Sequence, residues 1–181
     1  MQKFKSFFEV FKVVTAVFIS AAIIRYFLLQ PFVVEGSSME PNFHNGEYLF
    51  VEKISYRFKE PNRGDVVVMQ YPRNTSVNYI KRIIGLPGET VVIKDGRVFI
   101  NGTKLTESYL PTDEITLSLI NKDEEYTVHV PSGKYFVMGD NRDASSDSRD
   151  GWLLDRSQIV GRSALVVLPA KDFKAIASPK Y

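Results

Sequence analysis

Two adjacent serines, Ser37 and Ser38, lie in the stretch "GSSMEPN" at residues 36–42. A serine hydroxyl becomes an effective nucleophile only when a nearby base removes its proton. The chain offers two kinds of base, which are its two histidines and a lysine held in its neutral form. The stretch is equally typical of a polar linker, so other residues must decide whether it carries chemistry.

Lys81 has the surroundings that a lysine base requires. In "NYIKRIIGLPGE", strand alternation places Tyr79, Lys81 and Ile83 on one face, so aromatic and aliphatic side chains flank the amine. Burial among them lowers the pKa, because it disfavours the charged form. Less than ~0.1% of an unperturbed amine is neutral at pH 7, and a pKa lower by about two raises that fraction roughly a hundredfold. Alternation alone is also compatible with a lysine at a strand edge that extends into solvent.

The two histidines are the other candidate bases. His44 lies in a loop-like "NFHNG", and His129 alternates within a predicted strand, "YTVHV". Both settings are typical of surface histidines. Spacing does not exclude a serine–histidine–aspartate triad, because the order of its members differs between folds.

A third polar stretch, "MGDNRDASSDSRDGW" at 138–152, follows the apolar run "KYFV". It holds four aspartates, three serines and two arginines. A calcium loop is the natural alternative for so many carboxylates, but the regular ligand spacing is absent, and Arg142 and Arg149 would repel a cation. Ion pairs that hold a polar loop in shape fit this composition better.

The elements that must position these residues are predicted to be strands. Short runs rich in Val, Ile, Tyr and Phe are bounded by Gly, Pro, Asn or Asp. "VVIKDGRVFI" predicts a hairpin, since Asp95 and Gly96 supply the positive φ angles of a type I′ turn. The fold class is therefore mainly β, an antiparallel barrel or folded sheet rather than a parallel α/β sheet. Residues 104–125 carry the least pattern and are interpreted as an insertion or long connection.

An apolar segment precedes the strands. Residues 13–24 carry no charge, and Arg25 alone interrupts the apolar run that follows. A helix needs ~20 residues to cross ~30 Å of hydrocarbon, so residues 13–31 are predicted to form a transmembrane signal anchor. The alternatives are a cleaved signal peptide, whose small residues would lie inside the apolar run rather than after it, and a buried core helix.

Charge sets the predicted topology. Three lysines and one glutamate precede the apolar segment. By the positive-inside rule, residues 1–12 are expected in the cytoplasm and residues 32–181 outside it, as an extracytoplasmic domain of a single-pass membrane protein.

Composition excludes several classes of protein. Of the 181 residues, 24% are charged and the formal net charge is +2, which argues against a disordered chain and against a basic nucleic-acid binder. The absence of cysteine excludes disulfides, cysteine-ligated metals and a thiol nucleophile. Two histidines are too few for a histidine-rich metal site. We therefore expect no metal, no cofactor and no nucleic-acid partner.

In this order behind the apolar segment, the three polar stretches resemble motifs of the bacterial type I signal peptidases, which are membrane-bound serine–lysine endopeptidases. "GSSMEP" is similar to the nucleophile box, "YIKRIIGLPGE" to the lysine box, and "GDNRDASSDSRDGW" to the final box. The resemblance covers about 20–170 except for 104–130, a variable insertion where some members carry a large second domain. The shorter form is closer to the Gram-positive type with a single anchor.

The resemblance implies a role for individual residues. Ser38, the serine immediately before methionine, matches the catalytic nucleophile, and Lys81 matches its general base. Ser145 matches the position that hydrogen-bonds this lysine, while Asp147 and Arg149 match an ion pair.

The resemblance also implies an activity and a location. Such an enzyme removes signal peptides from secreted preproteins after small residues in an A-x-A pattern, at the cell membrane and without a metal or cofactor. Its partners are preproteins and membrane lipid, against which Phe32 and Phe43 are expected to rest. One departure concerns Gly36, where some members place a serine hydroxyl in the oxyanion hole. With glycine, the oxyanion depends on backbone N–H groups, chiefly that of Ser38.

Two alternatives remain open at this point. Repressor-type autoproteases of the same fold also use serine and lysine, but they carry a DNA-binding domain where this chain has its apolar segment. A catalytically inactive, membrane-tethered binding module of the same fold is the alternative from another functional class.

Overall fold

Strands account for most of the regular structure, as the runs of Val, Ile, Tyr and Phe predict. The computed structural model describes residues 2–23, 29–120, 125–176 and 178–179. Within those ranges the elements are α1 (Gln2–Ile23), β1 (Leu29–Val33), β2 (Tyr48–Glu52), α2 (Ser55–Phe58), β3 (Val66–Tyr71), β4 (Asn74–Gly85), β5 (Thr90–Lys94), β6 (Arg97–Ile100), β7 (Thr103–Lys104), β8 (Tyr126–His129), β9 (Lys134–Met138), β10 (Leu154–Asp155), β11 (Ile159–Leu168) and β12 (Lys174–Ala175), with single 3-10 turns at Ser148–Asp150, Arg156–Gln158 and Ala170–Asp172.

The strands form two antiparallel sheets, which confirms the prediction of a mainly β antiparallel fold. The larger sheet has the strand order β1-β2-β11-β3-β4-β9-β10, with β12 paired to β11. The smaller sheet has the order β7-β6-β5-β8. Because neighbouring strands alternate in direction, β1 and β4 of the larger sheet run in the same direction.

The predicted hairpin is confirmed in its pairing and in its turn. Lys94 of β5 pairs with Arg97 of β6, so the loop has two residues. These are Asp95 and Gly96, with φ angles of 50° and 69°. Both angles are positive, as a type I′ turn requires.

The centre of the larger sheet is buried on both faces. In β3, Val66 packs in a cluster with Phe43 and Leu49, while the next residue, Val67, packs in a second cluster with Trp152. Since successive side chains of a strand point to opposite faces, both faces of the sheet are covered. A lysine on a central strand is therefore surrounded by apolar side chains.

The N-terminal segment differs in part from the predicted anchor at 13–31. Helix α1 covers its beginning, and residues 24–28 lie outside the described residues. Residues 29–31, however, belong to strand β1, which pairs with β2, so the predicted end of the helix is wrong. The edge of a sheet tolerates Pro31, whose missing N–H breaks no interior ladder. Within the described residues, no helix combines the length and the apolar character needed to cross a membrane.

The predicted insertion at 104–130 ends in a strand. Residues 105–120 form neither helix nor strand, and 121–124 lie outside the described residues. Tyr126–His129 is β8, which pairs with β5 and completes the smaller sheet. The long connection therefore leaves the smaller sheet at β7 and returns to it at β8.

Candidate active site

Ser38 lies on a compact turn that follows β1. The turn is held by backbone hydrogen bonds from Glu40 N to Ser37 O (3.1 Å) and from Phe43 N to Met39 O (3.0 Å). Met39 is 1% exposed and Phe43 2%, so both side chains anchor the turn in the core. The expectation that Phe43 contacts lipid is therefore wrong, because an aromatic side chain in this turn gains more by filling the core beneath it.

Lys81 lies on β4, opposite Val67 of β3. Its side chain is buried, and its Nζ donates a hydrogen bond to Ser38 Oγ over 2.7 Å. The structure thus brings together two of the predicted site residues that are 43 positions apart in the sequence. Nζ also lies 5.1 Å from the ring centre of Tyr79, on the face that strand alternation predicts.

Burial lowers the pKa of Lys81 from its ordinary value of 10.5 to about 8. Desolvation is the largest cause, because apolar surroundings disfavour the ammonium form. The carboxylates of Asp147 and Asp140 oppose this effect, while the guanidinium of Arg149 adds to it. With a pKa of about 8, roughly a tenth of the amine is neutral at pH 7. A neutral amine can accept the proton of the hydroxyl that it contacts.

The polar loop at 139–150 holds two buried ion pairs beside this lysine. Arg149 donates from Nε to Asp147 Oδ1 (2.8 Å), which is the ion pair that the resemblance implies. Arg82 donates from Nη2 to Asp140 Oδ2 (2.6 Å). The Arg82 pair was not predicted from the sequence. Strand alternation places Arg82 on the opposite face of β4 from Lys81, and a buried arginine there needs an acidic partner, which Asp140 of the polar loop supplies.

Ser145 lies against the backbone that carries the nucleophile. It is 7% exposed, and a Cβ atom added to Gly139 would collide with both Ser145 Oγ and the carbonyl oxygen of Ser38. Within the described part of the chain, Ser145 Oγ has no hydrogen-bond partner. The hydrogen bond to Lys81 that the resemblance implies is thus not formed here, although the residue lies beside the site.

The histidines take no part in this arrangement. His44 is exposed on the loop before β2, and His129 is exposed on β8 of the smaller sheet, 3.5 Å from Thr90 Oγ1. Neither lines the cleft around Ser38. Among the described residues, no group of three or more His, Cys, Asp or Glu side chains is placed to hold a metal ion.

A cleft of about 830 Å³ opens in front of Ser38 and Lys81. One wall is β1 with the turn after it, and the other is the first half of β4. Ala144 and Ser146 of the polar loop close one part of it. Gly36 also lines the cleft, with φ of 87° and open space where a Cβ atom would be. The site is therefore a groove between two strands that run in the same direction, with a serine–lysine pair on its floor.

Comparisons with known proteins agree with the motifs. The family model described as "Signal peptidase, peptidase S26" matches residues 7–168. A signal peptidase I of Bacillus licheniformis is 42% identical over 95% of this chain and 94% of its own. Signal peptidase I T of Bacillus subtilis (strain 168) is 41% identical over 96% and 91%, respectively.

A solved signal peptidase I from Enterococcus faecalis is 34% identical, with a TM-score of 0.48 over 57% of this chain and 97% of that one. The family match and the two Bacillus relatives confirm the resemblance that the three polar stretches carry. The chain belongs to the signal peptidase family, peptidase S26.

Proposed function

We propose that this chain is a serine endopeptidase of the cell membrane that removes signal peptides from secreted preproteins, with Ser38 as nucleophile and Lys81 as general base. The observation that carries the proposal is the 2.7 Å contact between Ser38 Oγ and the buried amine of Lys81. An exposed lysine would be almost fully protonated at neutral pH. An amine whose pKa is about 8 is suited to take the serine proton.

The proposed reaction is acyl transfer in two steps. Neutral Lys81 takes the proton of Ser38 while Oγ bonds to the carbonyl carbon of the last signal-peptide residue. The C–N bond then breaks, and Lys81 returns the proton to the nitrogen of the departing mature chain. In the second step Lys81 takes a proton from water as its oxygen bonds to the ester carbon; the C–Oγ bond then breaks and Lys81 returns the proton to Ser38 Oγ, which releases the signal peptide.

Stabilisation of the oxyanion is assigned to backbone N–H groups near Ser38. Gly36 offers no hydroxyl, and its open position on the cleft wall lets the substrate carbonyl approach the main chain. Ser145 is proposed to accept a hydrogen bond from Lys81 once the amine is charged. A buried hydroxyl without a partner is costly, and a partner in the protonated state of the site removes that cost.

The groove is proposed to bind the signal peptide as an added strand. Strands β1 and β4 line its two walls, and backbone hydrogen bonds to such edges bind any extended sequence, while pockets select side chains. Because β1 and β4 run in the same direction, an inserted strand is parallel to both or antiparallel to both. Small residues at the −1 and −3 positions, as in A-x-A, are the proposed specificity.

A patch of apolar side chains near the groove supports contact with membrane lipid. Val33, Tyr48 and Leu168 are cross-strand neighbours on β1, β2 and β11 and are 42%, 45% and 50% exposed. Val33 stands five residues before the nucleophile. A nucleophile close to lipid suits substrates whose apolar segment is membrane-inserted. The single-pass topology, with residues 1–12 in the cytoplasm, remains part of this proposal.

The test is cleavage of a preprotein with an A-x-A site by the detergent-solubilised protein. Wild type should release the mature chain, and Ser38→Ala should abolish release while the protein stays folded, because the nucleophile is lost. Ser37→Ala is the matched control and should retain most activity, since Ser37 is exposed and Lys81 contacts its neighbour. Binding of the preprotein without any cleavage by wild type would favour the inactive binding module instead.

A further inference from the structure

We propose that residues 107–117, within the connection from β7 to β8, act as a strap that positions the nucleophile Ser38 through Arg142. The inference rests on the proposed function, and it assigns a role to the stretch of sequence that carries the least pattern. Three links connect the strap to Ser38.

The first link is the side chain of Arg142, which is fully buried beneath the strap. Its guanidinium donates to both carboxylate oxygens of Glu107, to Thr116 Oγ1 and to Tyr109 OH, all on the strap, and its Nε donates to Gly139 O. A guanidinium has five N–H donors, and these five bonds use all of them. Glu107 itself is only 10% exposed on its side chain, so the ion pair is largely desolvated.

The second link holds the polar loop at Arg142 and at Arg149. Glu114 of the strap accepts a hydrogen bond from Arg142 N over 3.1 Å. Arg149 donates to the strap at Leu117 O (3.1 Å) and to the loop at Arg142 O (2.8 Å). The loop is therefore fixed to the strap at two places, with Ser145 between them.

The third link joins the loop to the nucleophile. Asn141, next to Arg142, donates its backbone N–H to Ser38 O over 3.1 Å. Its side-chain amide donates to Ser37 O over 3.2 Å. The position of Asn141 thus sets the position of the two peptide groups that flank the Cα atom of Ser38, one of which carries the N–H of the nucleophile.

The strap is itself fixed to the hairpin of β5 and β6. Thr116 N donates to Gly96 O (3.1 Å), and Arg97 Nη1 donates to Glu114 O (2.6 Å). A side chain held by a rigid element transmits position more accurately than one on a free loop. The hairpin thus supports the strap, the strap supports Arg142, and Arg142 fixes the loop against Ser38.

Loss of the Glu107 charge should loosen this chain of contacts. Arg142 would stay buried without its carboxylate partner, and the loop would have to shift to hydrate it. Strands β1 and β4, which form both walls of the groove, make none of these contacts, and the polar loop contributes Ala144 and Ser146 to the lining. We therefore expect an effect on the chemical step rather than on substrate binding, that is, a lower kcat with little change in KM.

The experiment compares Glu107→Gln with Glu89→Gln in the full-length protein in detergent. Glu89 also forms a partly buried ion pair, with Arg63, but at the turn before β5 and not on the cleft wall. We expect Glu107→Gln to lower kcat roughly tenfold or more with KM nearly constant, since a small displacement of a reacting group is costly. Glu89→Gln should lower the melting temperature without changing kcat.

A second pair of variants guards against misfolding. Thr116 is buried, so Thr116→Val keeps its shape but removes the acceptor for Arg142, whereas Thr116→Ser keeps the acceptor. The kcat of Thr116→Val should be lower than that of the wild type, and the kcat of Thr116→Ser should equal that of the wild type. Wild-type kcat in both Glu107→Gln and Thr116→Val would overturn the inference and leave the strap a structural element only.

Hydrogen exchange separates this inference from the proposed function. The amide of Asn141, which bonds to Ser38 O, should exchange faster in Glu107→Gln than in wild type or in Glu89→Gln. If the Asn141 amide exchanges at the wild-type rate in Glu107→Gln, the proposed role of the strap is wrong, whether or not the protein cleaves preproteins. A wild-type protein that cleaves no preprotein would overturn the proposed function, whatever the exchange rates are.

Discussion

Replacing Lys81 with methionine should inactivate the protein and make it more stable. Methionine has a similar length and is apolar, so it fills the space of the lysine without a buried charge. In the native protein, burial lowers the pKa of Lys81 from 10.5 to about 8. At about 1.4 kcal/mol per pH unit, keeping the ammonium buried at pH 7 costs about 3 kcal/mol of folding free energy. Ser38 loses one hydrogen bond in the variant, at about 1 kcal/mol, so the net gain is about 2 kcal/mol.

The same linkage predicts how stability depends on pH. The pKa of Lys81 is lower in the folded state than in the unfolded state, so between about 8 and 10.5 the unfolded chain binds the extra proton. Stability contributed by this group therefore rises with pH across that window, and it is flat below it. Between pH 7 and pH 9.5 the wild type should gain about 2 kcal/mol relative to Lys81→Met.

The assay is denaturant unfolding in detergent, followed by the fluorescence of Trp152. It is the only tryptophan in the chain, and it is 6% exposed in a core cluster that includes Val67, the strand partner of Lys81. The free energy of unfolding of both proteins is measured at pH 7, 8, 9 and 9.5, and taking their difference removes the other groups that titrate. Parallel curves, or a Lys81→Met protein no more stable than wild type at pH 7, would refute the claim that the lysine is desolvated.

Three further predictions concern the same site. Lys81→Arg should be folded and inactive, because a guanidinium is not deprotonated in a protein. Lys53, which is half-buried beyond the end of β2, provides the control, and Lys53→Arg should stay active. The kcat/KM of the wild type should rise with pH up to about 8 as Lys81 loses its proton. Turnover by a natively folded Lys81→Arg protein would exclude Lys81 as the base. Gly139→Ala should lower both activity and the melting temperature, since its Cβ would collide with Ser145 and the carbonyl of Ser38. Gly133→Ala is the control, because nothing lies within 4 Å of the added atom. It should leave activity unchanged and affect stability only through the φ angle of 72° at this position. Wild-type activity in Gly139→Ala would show that this close approach has no role in the reaction.

Much of the fold and of the site could be predicted from local pattern. Alternation in β4 places Lys81 beside Tyr79, and the structure has them in contact. In "DGRV", the turn residues Asp95 and Gly96 need positive φ angles, and both residues have them. Each of the three polar stretches is a run of consecutive residues, and together they indicate the family. These features depend on residues that are neighbours in sequence, so the sequence alone determines them.

The remaining features depend on which distant segments cover a residue, and only the tertiary structure decided them. Alternation gives the face on which Lys81 lies, but its desolvation comes from β3, the turn at Ser38 and the polar loop packed around it. Leu29–Val33 is apolar enough to continue a helix, yet it forms a strand because β2 offers it an edge. Phe43 was expected at the surface and is buried, since the turn folds it into the core. Arg142 pairs with Glu107, which lies 35 positions earlier in the sequence. Such contacts are set by non-local packing, and no local periodicity encodes them.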